Sequence, residues 1–146
     1  MRLVVDTSVL VDELLRVRGR ERLGDQLLEL FLPEAMWEEA AAELPRRIAA
    51  FATQRGLDQG VTSELTTSCL TAIKANVAVI DAGVYSALED EARARSLRDA
   101  ADWPVIACAL ALSAGVWTNN NDSMGTGVPT WTTQSLQAWL DRQTRG

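Results

Sequence analysis

The 146-residue chain contains no histidine and a single lysine, Lys74. Without imidazole, Ser-His triads and paired-His ribonuclease chemistry are excluded, and a zinc site of the usual His/Cys type is not expected. Cysteine is almost as scarce. Cys69 and Cys108 lie in unrelated apolar settings with no CxxC spacing, which predicts two reduced packing residues and a reducing compartment. No apolar run approaches the roughly 20 residues of a membrane span, and no charged segment leads into a long apolar one, so neither insertion nor export is expected. Positive charge is in deficit, with a formal net charge of −6. That opposes indiscriminate binding to nucleic acid, which needs clustered cations. The composition predicts a soluble, cytoplasmic protein of one domain spanning residues 1–146, large enough to bury a core without metal or disulfide staples.

The basic residues present are nearly all arginine, 13 of 14. They cluster at Arg16, Arg18, Arg20 and Arg22, at Arg46 and Arg47, and at Arg93, Arg95 and Arg98. Arginine favours bidentate phosphate contacts, so local charge can override the sum.

The chain is organised around Asp102 to Asp122, where an acid heads an apolar run that leads to a glycine break at Gly115, a short strand and a polar turn. Nearly every residue from Val105 to Leu112 is apolar, which predicts a helix buried between other elements. The opening segment, Arg2 to Asp6, reads as a strand ending on an acid and followed by Thr7-Ser8, a helix-starting pair. An amphipathic helix follows over Val9 to Leu15, with Gly19 and Gly24 as punctuation. Gln26 to Leu32 reads as helix passing into strand, and Pro33 closes it before a helix over Glu34 to Ala50 that Pro45 is expected to kink or divide. Phe51 to Gly60 reads as helix end and loop, with a helix from Thr62 to Ala75 after it. Val77 to Asp81 repeats the pattern of strand, terminal acid and helix, the helix running from Gly83 or Val84 to about Ser96. A strand near Thr130 to Thr132 and a helix over Thr133 to Arg142 close the chain. Strands alternating with helices predict an α/β fold, a mainly parallel sheet covered on both faces, with ligands bound beyond the carboxyl ends of the strands.

Several acids are candidates for a site at that edge. Asp6 stands where the first strand stops, and its alternative role is a helix cap. Glu39 and Glu43, four apart, share a flank of the helix after Pro33, with solvent exposure as the alternative. Asp102 heads the buried helix and is either its cap or a ligand. Asp99 is the competing candidate there, expected instead to pair with Arg95 or Arg98. Thr118 to Asp122 forms a polar turn after a strand, with Asp122 its one ionised group. Carboxylates converging without arginine repel one another unless a hard dication sits among them, and oxygen ligands select Mg2+ or Mn2+. Such an ion activates water for phosphodiester hydrolysis.

In order and spacing these motifs resemble the PIN-domain family: strand then Asp6-Thr7-Ser8, Glu39 after Pro33, Asp102 heading an Ala-rich helix, and Thr118-Asn-x-x-Asp122. The resemblance implies a three-layer α/β/α sandwich and a metal-dependent ribonuclease, often the toxin of a toxin–antitoxin pair similar to VapC and frequently a homodimer. It implies catalytic and metal-binding roles for Asp6, Glu39, Asp102 and Asp122, with Thr7 or Ser8 and Thr118 orienting ligands or phosphate. RNA is the implied substrate and an antitoxin the implied partner. One position departs from the family pattern of Thr-x-Asp-x-Asp-Phe. Asn120 stands where the first turn acid is expected, and the aromatic after Asp122 is Ser123. A weakened domain that binds RNA or protein without catalysis is therefore the second expectation. A haloacid-dehalogenase-type phosphohydrolase would share the strand-Asp start, but Ser8 occupies the place of its second Asp.

Overall fold

The computed structural model describes residues 1–146 apart from Leu97, Asp122 and Gly146. Its elements are β1 (Arg2–Val5), α1 (Thr7–Leu14), α2 (Val17–Leu23), β2 (Glu29–Pro33), α3 (Glu34–Arg55), α4 (Gln59–Asn76), β3 (Val77–Ile80), α5 (Ala82–Tyr85), α6 (Glu89–Arg95), α7 (Trp103–Leu112), β4 (Gly115–Trp117), β5 (Thr130–Trp131) and α8 (Thr133–Arg145). Short 3-10 turns at Ser86–Leu88 and Ala100–Asp102 join α5 to α6 and lead into α7.

The five strands run parallel in the order β3-β2-β1-β4-β5. Central β1 is paired on both sides, Leu3 with Leu30 and Gly115, Val4 with Phe31 and Val116. Leu3, Val4, Val5, Leu32, Val116 and Trp117 are all fully buried, as strands covered on both faces must be. The steps β1 to β2 and β2 to β3 go one way across the sheet, and β3 to β4 returns past β1. Right-handed crossovers then place α1 to α4 on one face and α5 to α7 on the other, giving three layers. The chain leaving β1 and the chain leaving β4 part to opposite faces at the carboxyl edge, the kind of switch point at which open α/β sheets bind ligands.

Several elements differ from the sequence reading. α2 was not expected, because its segment, with three arginines in seven residues, lacks apolar periodicity. It is closed against α1 by Arg20 donating to the Leu14 carbonyl at 2.7 Å and by the Arg22–Glu13 ion pair. Gly19 permits the approach, since a Cβ there would lie 2.1 Å from the Glu13 carbonyl oxygen. Pro45 does not divide α3, which continues to Arg55 and ends on Gly56 with φ 63°, a left-handed cap. Pro45 is exposed, so the carbonyl its ring deprives of a partner faces water. Gly60 lies inside the first turn of α4, which Asp58 caps by accepting from Val61 N at 2.8 Å. The expected single helix after Asp81 is instead α5, a 3-10 turn and α6.

α7 is buried from Pro104 through Ala109, as its composition requires. Both cysteines are free and buried, and burial pushes the Cys108 thiol up to about 12, so it packs as a neutral side chain. Leu136 and Leu140 of α8 are core residues, and half-buried Trp139 packs edge-on to Trp131. No described helix is long and apolar enough to cross a membrane.

Candidate active site

Among the described residues, five aspartates occupy helix N-cap positions. Asp58, Asp81 and Asp99 cap in the ordinary way, accepting from Val61 N, Gly83 N and Ala101 N at 2.8, 2.8 and 3.0 Å. Asp6, at the N-cap of α1, and Asp102, at the N-cap of α7, make no side-chain cap bond. Each forgoes about 1 kcal/mol of capping stabilisation. Both lie at the carboxyl edge of the sheet: Asp6 follows β1, and α7 must begin there to deliver its C-terminus to the start of β4.

The Asp6 carboxylate turns to the neighbouring strand. Its Oδ2 accepts from Ser8 Oγ at 3.0 Å, Thr118 Oγ1 at 2.9 Å and Asn120 Nδ2 at 3.2 Å. Two of these donors come from more than 110 residues away. The backbone sets up the meeting, because Asp6 N donates to the Trp117 carbonyl and Thr118 N to the Trp131 carbonyl, each at 2.9 Å. Thr118 is 1% exposed, and its hydroxyl accepts from Asn120 N at 3.3 Å while donating to Asp6, so its one proton has a defined direction.

The turn is tied down from behind. Asn119 Oδ1 accepts from Thr133 N at 2.8 Å, and Asn119 Nδ2 and Trp117 Nε1 donate to Thr133 Oγ1 at 3.1 and 3.0 Å. Neither Asn119 nor Thr133 was singled out in the sequence. Their signal was only an Asn after a strand and a Thr at a helix start, common pairs whose partnership depends on the fold.

The remaining candidates divide. Ser8, not Thr7, meets Asp6: the Thr7 hydroxyl is buried and takes no hydrogen bond among the described residues. Glu39 is exposed on α3, about one and a half turns from its start, and has no hydrogen bond or ion pair among the described residues. Glu43 pairs with Arg46 at 3.3 Å. The expected pairing of Asp99 with Arg95 or Arg98 does not occur. Asp99 is held by its own cap bond, and Arg95 pairs with Glu91 at 2.8 Å and donates to the Thr126 carbonyl at 2.9 Å. Asp122 lies outside the described residues.

Among the described residues no three acids or cysteines form a cluster able to hold a metal. The donor chemistry nonetheless fits a hard dication. Asp6 engages its neighbours through Oδ2, and its Oδ1 accepts no hydrogen bond among the described residues. Mg2+ commonly takes only one or two carboxylates, completing its shell with water and substrate phosphate. Asp6 and Asp102 supply that number at one edge, all in oxygen.

The parallel three-layer sandwich, with Asp6 held by Ser8, Thr118 and Asn120 at its carboxyl edge, defines the class. The chain matches the PIN domain family over residues 4–141, and it belongs to that family. PIN domains are generally nucleases. No curated protein matches it.

Proposed function

We propose that this chain is a divalent-metal-dependent endoribonuclease. The observation that carries the reading is Asp6, an acid at a helix start that is withheld from capping and oriented by Ser8, Thr118 and Asn120. Asp6 and Asp102 would hold Mg2+ or Mn2+, with Asp122 and Glu39 completing the acidic set. The bound ion would activate a water and stabilise the leaving oxygen of a phosphodiester. Thr118 and Ser8 hold the Asp6 carboxylate in one rotamer, so that its second oxygen stays aimed outward. The Asn120 amide adds partial positive charge, lowering the repulsion between acids where the family pattern has another carboxylate.

The cellular role we infer from the family is the toxin of a toxin–antitoxin pair, similar to VapC and acting as a homodimer. Growth arrest on expression, relieved by a neighbouring gene, tests it. Endonucleolytic cleavage of RNA with Mn2+ should vanish with chelator and fall at least about a thousandfold in Asp6→Asn, a size typical of losing a group that acts on the transition state. Cleavage surviving both changes removes the proposal. A second reading, binding of RNA or protein without turnover, is favoured by one contact: the Asn120 amide gives Asp6 a compensating donor that needs no metal.

A further inference from the structure

The arginines near the site are mostly consumed. Arg46 and Arg47 pair with Glu43 and Asp12, Arg93 with Glu89 and the Trp103 ring, and Arg95 with Glu91 and the Thr126 carbonyl. Arg98 differs. It is exposed, and among the described residues it has no carboxylate partner and one hydrogen bond, a 3.4 Å contact from Nη1 to the Asn121 carbonyl. Its neighbour Asp99, the obvious acid to neutralise it, is engaged with Ala101 N. The bond to Asn121 sets the guanidinium beside the turn whose preceding residue, Asn120, touches Asp6.

We infer that Arg98 is the phosphate-gripping residue of the site, binding the backbone of a single-stranded RNA next to the acidic edge. A guanidinium carries five N–H donors in a fork matched to phosphate, and Arg98 uses one of them weakly. In a chain of net charge −6, a cation with no carboxylate partner among the described residues attracts at this edge a polyanion that the carboxylates would repel. The Asn121 carbonyl holds the fork beside the site without neutralising it. The alternative occupant, an acidic peptide of a protein partner, is an outcome of the test.

This inference rests on the proposed RNA substrate, and binding is measured without turnover to separate the two. A fluorescent single-stranded RNA oligonucleotide is titrated with the full chain in EDTA across a series of salt concentrations. Arg98→Ala should weaken binding roughly tenfold and flatten the slope of log Kd against log salt by about 0.7, the loss of one phosphate contact on a single strand. Arg98→Lys should recover the slope but only part of the affinity, since a point charge replaces the fork. Arg55→Ala, altering the guanidinium that lies over Phe51, should change neither. If wild type binds and cleaves RNA while Arg98→Ala and Arg98→Lys match it, the inference fails and the nuclease reading stands. If wild type neither binds nor cleaves RNA, both fall. Binding of a poly-glutamate peptide that depends on Arg98, with RNA binding unchanged, also overturns it.

Discussion

Asp6 and Asp81 end strands of similar composition, and each starts a helix. Asp81 caps Gly83 N, whereas Asp6 leaves its helix uncapped and reaches across to Thr118 and Asn120. The difference is position in the sheet: β3 is an edge strand, and β1 lies beside β4, whose exit turn brings donors to the carboxylate. Asn120 is the residue on which the chemistry pivots. Asn120→Asp replaces a hydrogen-bond donor to Asp6 with a second carboxylate, so Asp6 then faces repulsion that only a cation relieves. The variant should bind Mn2+ more tightly, by roughly 10- to 100-fold, and cleave RNA faster, as read by calorimetry and a cleavage assay. Unchanged affinity and rate would show that the amide already serves the site as well as an acid.

Among the elements, α3 shows composition outvoting a breaker. Ala, Glu and Leu carry the helix through Pro45 for 22 residues, because its buried stripe of Met36, Ala40, Leu44, Ile48 and Ala52 continues on both sides of the proline. The proline still costs stability. Pro45→Ala restores the missing N–H and should stabilise the fold by about 1–3 kcal/mol, measured as a shift in the urea midpoint. A neutral or destabilising result would mean that the ring's packing against the α3–α4 surface outweighs the hydrogen bond. α2 is the reverse case: its sequence has no apolar face to read, and its place depends on Glu13. That carboxylate is 4% exposed and bonds Arg22, which also donates to Gln137 of α8 at 2.8 Å.

Across the whole molecule, Asp6 meets Thr118 and Asn120 only because segments more than 110 residues apart end at one edge of one sheet. Acids held close together there would repel one another, and a bound dication would offset that cost. Mn2+ should therefore raise the melting temperature of the wild-type chain by mass action, about 2.7 kcal/mol of added stability at a hundredfold excess over Kd. Asp6→Asn should lose most of that rise while melting close to wild type in chelator, because Asp6 supplies no cap to forfeit. Equal metal-induced shifts in both proteins would place the ion elsewhere.

The parallel three-layer fold was legible from residue patterns, because burial on both faces demands continuous apolar strands, and Asp6 and Asp102 were legible as acids at helix starts. The segment ends were less so. Pro45, Gly60 and the arginines of α2 carry local signals that packing overrode. Which aspartates cap their helices was decided by tertiary structure alone. A carboxylate at a helix start takes the nearest backbone N–H unless the fold presents better donors, and the donors to Asp6 come from a turn more than 110 residues along the chain.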